Sequence, residues 1–194
     1  MEFYQVSTKG APAQFFVTHH RPEGEIAPKT EGYLQYISGV GFRVMMRCYE
    51  ENPKATYTQP DDPVFKDSCM EVFLNCFPEH SDCYINVEVN ANGAMRCGFG
   101  PGRANRPKVL ELGLDQPKVD ITVQTDYWQA EILIPESLLE SLYQIPCKLP
   151  SGHKMRGNFY KCGEETDKPH WATWSAVERL DFHTPEYFGE LILV

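Results

Sequence analysis

Clustered positive charge is missing from this chain. Its 18 lysines and arginines stand against 27 aspartates and glutamates, giving a net charge of −9 and a pI near 5.1, and the cations form no run. Phosphate recognition depends on such runs, so nucleic acid is excluded as the expected partner and a neutral ligand fits better. Long apolar stretches are missing too. None approaches the ~20 residues that cross a bilayer, so no membrane partner is expected. The start, Met1-Glu2-Phe3-Tyr4-Gln5-Val6, lacks the basic segment, apolar stretch and small-residue cleavage site of a secretory leader. If Met1 is the native start, the protein is expected to be cytoplasmic; if a leader has been trimmed away, it is expected to be extracellular. Seven cysteines, an odd number with no Cys-x-x-Cys pair, indicate reduced thiols rather than a disulfide framework.

Catalytic and metal signatures are equally scarce. Ser137, Ser141 and Ser175 stand in no Gly-x-Ser-x-Gly setting. Gly98-Phe99-Gly100-Pro101-Gly102 is no phosphate cradle, because Pro101 and Pro107 block the helix that must follow and no Gly-Lys-Ser/Thr appears. Cys69, Cys76 and Cys83 recur every seven residues, which alternates their faces on strands. With His80 nearby they still match none of the structural zinc sets, so buried thiols are expected. His19 and His20, adjacent on a strand, point to opposite faces and do not readily share an ion. Helical patterning is confined to Pro135 and the Glu136-Ser137-Leu138-Leu139-Glu140-Ser141-Leu142 stretch, with proline in the first turn.

What the chain has instead is alternation. Ile85, Val87 and Val89 share one strand face, with Tyr84, Asn86, Glu88 and Asn90 on the other. Met70, Val72 and Leu74 form a second core row, which leaves Glu71, Phe73 and Asn75 to join the Asn/Glu row if the two strands pair. Asn92-Gly93 marks a hairpin into a partner strand over residues 94–99. Further strands are expected over residues 33–38, 42–49, 119–125 and 128–134, while residues 50–68 read as a long polar loop of the kind that carries function. With no repeat and no dividing linker, residues 1–194 are expected to form one domain. Its fold class is all-β: an antiparallel β-sandwich, jelly-roll-like, with one short helix.

Aromatic and polar groups mix most densely in the last fifth, where Trp171, Trp174, Phe182, Tyr187 and Phe188 are interleaved with Lys168, His170, Ser175, Asp181 and His183. Such a mixture suits a binding surface, since flat apolar faces beside hydrogen-bonding groups match a sugar ring. Glu71 and Glu88 are the candidate carboxyl pair if the chain were a glycosidase, but acids on an outer row more often hydrogen-bond a ligand.

An ordered series of motifs then carries a family resemblance over about residues 41–193. Asp67-Ser68-Cys69-Met70-Glu71-Val72-Phe73-Leu74 is followed by Tyr84 to Asn90 with Asn92-Gly93, then by Glu131-Ile132-Leu133-Ile134-Pro135 and Gly157-Asn158-Phe159. Trp174-Ser175 and Pro185-Glu186-Tyr187-Phe188-Gly189 close the order. The series resembles the family 9 carbohydrate-binding modules. That resemblance implies a β-sandwich that grips the terminal ring of a sugar chain between two tryptophans, without cofactor, in some members with structural calcium. It places one stacking ring on Trp174 and the other near Phe65, with Trp171 as a replacement. Glu71, Asn86, Glu88, Asn158 and Tyr160 fall among the polar contacts, and Glu88 stands where the sugar-binding members have an arginine. Asp61, Asp62 and Asp181 are where calcium would be sought. The expected function is non-catalytic binding of a mono- or oligosaccharide or glycan chain end, linked to carbohydrate catabolism through the family's association with glycoside hydrolases. The alternatives are a cytosolic enzyme acting on a small sugar or glycoside, and a non-sugar ligand or protein-interaction domain on the same scaffold.

Overall fold

The computed structural model describes residues 2–194. In chain order its strands are β1 (Phe3–Val6), β2 (Phe15–Val17), β3 (His19–His20), β4 (Thr30–Ile37), β5 (Gly41–Cys48), β6 (Cys69–Asn75) and β7 (Tyr84–Asn90). There follow β8 (Met95–Gly100), β9 (Lys118–Val123), β10 (Trp128–Pro135), β11 (Lys154–Gly163), β12 (His170–Thr173) and β13 (Gly189–Leu193), with the helix α1 (Glu136–Tyr143) between β10 and β11. Two sheets result. The larger runs β1-β13-β11-β6-β7-β8, with β12 and then β3 added beside β11; the smaller runs β2-β4-β5-β10-β9.

The period-two rows explain why the sheets face each other. Val72 and Leu74 of β6, Ile85, Val87 and Val89 of β7, and Ile132 and Ile134 of β10 are all buried in one shared core, as their alternation predicts. At roughly 1.5–3 kcal/mol for each large apolar side chain removed from water, these rows supply much of the drive for stacking. Every strand pair named in the register is antiparallel except one. β1 lies parallel to β13, with Tyr4 beside Leu191 and Val6 beside Leu193, so the chain's two ends enter the large sheet side by side.

Helix α1 begins where β10 ends. Pro135 occupies its N-cap with extended backbone, and Leu138, Leu139, Leu142 and Tyr143 turn inward. β4 starts at Thr30, three residues ahead of the alternating run that marks it, because Glu31 is accommodated in the ladder by Lys29 and the Tyr49 hydroxyl.

The outer face of the large sheet is also covered. A satellite cluster there joins Val64, Cys69, Phe73, Tyr84, Tyr160, Cys162, Phe182 and Phe188, with Phe65 and Trp171 packed against it. Two irregular segments, residues 50–68 and 175–188, supply the covering. The first is pinned by Asp67, whose Oδ2 accepts from the Thr56 and Tyr57 amides at 2.7 and 3.0 Å and from Asn90 Nδ2 at 2.9 Å. The second is pinned by Phe182, stacked on Tyr160 at 4.2 Å.

Candidate functional site

Between these two coverings the sheet is left open as a cleft of about 330 Å³. The strand register builds its floor. Glu71 lies opposite Glu88, and Glu88 opposite Arg96, so three side chains on neighbouring strands form one row; Asn86 lies one row along, opposite Gly98. Glu71 is 3% exposed and Glu88 4%, the usual profile of groups covered on all sides but one.

Two walls rise from this floor. The aromatic wall comes from Phe65 and Trp171. Phe65 sits in a short 3-10 turn, Val64–Lys66, tied to the β11–β12 loop by the Glu164 and Glu165 amides, which donate to Phe65 O and Lys66 O at 3.1 and 3.0 Å. The half-buried indole of Trp171 rests on Gly24 and donates to Glu164 Oε1 at 3.5 Å. The cationic wall comes from Arg96, Arg103, Arg106 and Lys108. Arg106 lies over Tyr84, 3.9 Å from the ring centroid, and donates to Gly100 O, Gly102 O, Tyr84 O and Asn86 Oδ1. It fits there because β8 has glycine at the crossing point. A Cβ on Gly98 would stand 3.0 Å from both Arg106 Cγ and Asn86 Oδ1. Arg103 pairs with Asp181 at 2.8 Å, which closes the wall against the C-terminal covering.

Burial controls the charge of the floor. It pushes the Glu71 carboxyl well above the usual range, helped by Cys162 and Glu88. Burial also raises Glu88, but Arg96, Lys108 and the hydrogen bond from Asn86 oppose the shift. The Cys162 thiol donates to Glu71 Oε1 over 3.0 Å. Among the described residues, Cys69, Glu71 and Cys162 are the one set of three His, Cys, Asp or Glu residues whose ligand atoms all lie within 4.8 Å of one another. This set was illegible in the sequence, since Cys69 meets Cys162 across the β6–β11 ladder rather than Cys76 or Cys83. Both sulfurs are held as thiols: burial raises Cys69 to about 11, and the hydrogen bond with Cys69 together with burial raises Cys162.

The expected site residues divide into two groups. Glu71, Asn86, Glu88, Phe65 and Trp171 converge on the cleft. Trp174, Asn158 and Tyr160 do not, and the expectation for them is corrected. Trp174 is 6% exposed and lies in the inter-sheet core, edge-on to Tyr4 and Phe159 at 6.3 and 5.5 Å. The cause is local. Asn158 clamps the next residue, donating to Ser175 O at 2.9 Å and accepting from the Ser175 amide at 2.8 Å, and the indole drops into the space left by Gly189, where a Cβ would meet it at 2.4 Å. Tyr160 is covered by Phe182 and donates to Phe182 O at 3.1 Å, so it supports the covering segment instead of reaching the cleft. The carboxylates considered for calcium do not gather either. Asp61 accepts from the Cys97 amide and Gln116, Asp62 from the Thr58 and Gln59 amides, and Asp181 is paired with Arg103.

Sequence reading missed the cationic wall, whereas Phe182 and His183, from the aromatic and polar stretch near the C-terminus, do line the cleft. The available signal was the Gly98/Gly100 pair followed by Arg106: glycines at alternate strand positions with a long side chain close behind mark something lying across the strand.

No curated protein matches the chain. Among solved structures, a candidate carbohydrate-binding protein from Bacteroides uniformis superposes with a TM-score of 0.83 at 21% identity, covering 100% of this chain and 99% of that one. A family 9 carbohydrate-binding module from Caldicellulosiruptor kristjanssonii, in complex with cellotriose, gives a TM-score of 0.73 at 12% identity over 99% of this chain and 93% of that one. Its glucose complex gives 0.73 and 12% over 100% and 96%. At such identities the superpositions establish the fold. The sequence model of Carbohydrate-binding family 9 matches residues 35–193, and the chain belongs to that family.

Proposed function

We propose that the protein binds, without chemical change, a short saccharide or glycan chain end in the cleft over β6, β7 and β8, in the service of carbohydrate breakdown. The observation that carries this reading is the juxtaposition of an aromatic wall, Phe65 and Trp171, with a polar floor of Glu71, Asn86, Glu88 and Arg96. An aromatic face stacks on the C–H face of a sugar, while acids, amides and guanidinium take its hydroxyls. Glu88 and Asn86 offer acceptor oxygens where Arg96 offers a donor, so a hydroxyl that both gives and receives is matched. The family resemblance puts Glu88 where sugar-binding members have an arginine, and its register partner Arg96 brings a guanidinium to the same row from the next strand. The family 9 module that holds cellotriose and glucose shares the scaffold, which supports the ligand class.

Each hydroxyl exchanges water for protein at a net gain of only about 1 kcal/mol. Dissociation constants of roughly micromolar to millimolar are therefore expected, about −8 to −4 kcal/mol. Calorimetric titration of wild type and Trp171→Ala with mono- and oligosaccharides tests the reading. Binding lost in the variant with the fold retained supports it, and absence of binding to every sugar removes it.

One observation favours a second reading, an enzyme: Glu71 and Glu88 are opposed carboxyls, and burial pushes Glu71 well above the usual carboxylate range. Release of a chromophore from aryl glycosides by wild type, abolished in Glu88→Gln, would establish that activity.

A further inference from the structure

The four cations of the cleft are not equally engaged. Arg103 is neutralised by Asp181, and Arg106 is used on four acceptors within the protein. Arg96 makes one side-chain hydrogen bond, to the backbone oxygen of Asp61 at 3.0 Å. Lys108 Nζ makes none among the described residues, its backbone amide alone being held, by Glu111. No carboxylate oxygen of the described residues lies within 4.0 Å of either charged group. The backbone nevertheless brings them together. Residues 107–109 run antiparallel beside β8, with Val109 N donating to Cys97 O at 3.0 Å and Lys108 bridged to Gly98. Arg96 is two residues from Gly98 on the same face, so Lys108 and Arg96 are diagonal neighbours, about 7–8 Å apart at Cα. Both are half-buried, and Lys108 is held below its ordinary pKa by burial and by the Arg96 charge. Glu88 and Asp61 act on Lys108 from a distance but form no ion pair with it, so two adjacent, partly desolvated cations in a chain of net charge −9 keep donor capacity that a negatively charged ligand group would take up.

The rest of the floor is consistent with that assignment. Burial holds the Glu71 carboxyl well above its ordinary range and Asp181 is paired with Arg103, which leaves Glu88 and the exposed Glu164 as the other acids lining the cleft. Trp171 on β12 and Arg96 on β8 are four strand spacings apart, about 19 Å between backbones, while Phe65 reaches the cationic side, with the Arg96 guanidinium 5.8 Å from its ring centroid. A ring stacked on Trp171 therefore has its far end, or the next ring of a short chain, toward Phe65, Arg96 and Lys108.

We propose that the ligand is an anionic saccharide, bearing a uronate carboxylate or a sulfate ester that docks on Arg96 and Lys108 at the β8 edge of the cleft. The proposal rests on the saccharide-binding reading above and adds the charge of the sugar. Charge-assisted hydrogen bonds from a guanidinium and an ammonium are about twice as strong as neutral ones, so the preference should be measurable.

The test is titration of wild type, Lys108→Met and Arg96→Gln with four probes: cellobiose, glucuronic acid, glucose 6-sulfate and inorganic sulfate. For wild type, at least one of the two charged sugars is expected to bind about tenfold or more tighter than cellobiose, and the preference should shrink as salt is raised. In each variant the ratio of charged-sugar to cellobiose affinity should fall several-fold, with thermal melting confirming that the fold is kept. The uronate and sulfate arms identify which anion is taken. Equal affinity for cellobiose and both charged sugars, or an unchanged ratio in Lys108→Met, overturns the anionic assignment while leaving saccharide binding intact. Inorganic sulfate binding as tightly as the sulfated sugar overturns it as well, since the site would then read the anion alone. Absence of binding to any sugar overturns both.

Discussion

Trp171 and Trp174 stand three residues apart and have opposite roles. Trp171 presents its indole to the cleft over Gly24, whereas Trp174 fills the space over Gly189 between the sheets. Substituting each by alanine should therefore separate binding from stability. Trp171→Ala is expected to weaken saccharide binding with little change in melting, and Trp174→Ala to cost about 3–5 kcal/mol in chemical denaturation through the cavity it leaves. A large stability loss at Trp171 with none at Trp174 would reverse the assignment.

His170 provides a second residue-scale test. Its Nε2 accepts from the buried Lys161 ammonium at 2.8 Å and its Nδ1 donates to Lys168 O at 2.8 Å, an arrangement open only to the neutral ring. Burial, then the Lys161 charge, lowers its pKa to about 4. Between the ordinary value near 6.5 and about 4, the unfolded chain takes up a proton that the native ring refuses. This contribution to stability is thus complete above about pH 6.5 and is lost as the pH falls to about 4, by at most ~3 kcal/mol. Glu71, raised by burial, acts in the opposite direction: its contribution is complete below about pH 4.5 and is lost as the pH rises through its elevated pKa. Comparison with His170→Gln isolates the histidine, and the stability advantage of wild type over the variant should narrow steadily from pH 6.5 to 4. Proton resonances of the imidazole should keep their neutral positions at pH 5.

At the scale of elements, the cleft depends on the strap after β8 more than on the strand itself. Arg106 ties residues 100–106 down over Tyr84 and fixes the Asn86 amide, so Arg106→Ala leaves several acceptors without a donor. A loss of about 2 kcal/mol or more is expected, together with loss of saccharide binding. Arg103→Ala, which breaks a solvent-exposed pair with Asp181, should cost under about 1 kcal/mol. Urea denaturation of the two variants side by side checks the contrast, and equal effects would show that the strap is not what shapes the cleft.

For the whole molecule, the parallel β1–β13 pair joins the chain's two ends. Tyr4 and Val6 of β1 are buried in the shared core, and the Tyr4 hydroxyl accepts from the Leu34 amide of the opposite sheet at 3.0 Å. Removal of residues 1–6 should therefore cost roughly 3–6 kcal/mol, lower the melting temperature and expose the β13 edge to aggregation, as followed by circular dichroism and light scattering. Refolding of the full chain should be slow, because contacts between residues so far apart in sequence close late.

Local alternation alone fixes which side of each long strand faces the space between the sheets. Period two is a local property, so Val72, Leu74, Val87 and Val89 had to share a core, and pairing of their strands had to bring Glu71, Asn86 and Glu88 onto one outer face. The sequence also carried the family resemblance, although the Trp174-Ser175 and Phe188-Gly189 motifs within it prove to be a packing device: an indole, the asparagine clamp behind it and the glycine that receives it. The course of the irregular segments across the sheet is settled only when the chain folds. The return of residues 50–68 and 175–188 over the outer face, the meeting of Cys69 with Cys162, and the placement of Lys108 beside Arg96 all depend on strand order and chain reversal. Those are long-range choices that no local periodicity records, because the residues involved meet through the ladder and not through their spacing along the chain.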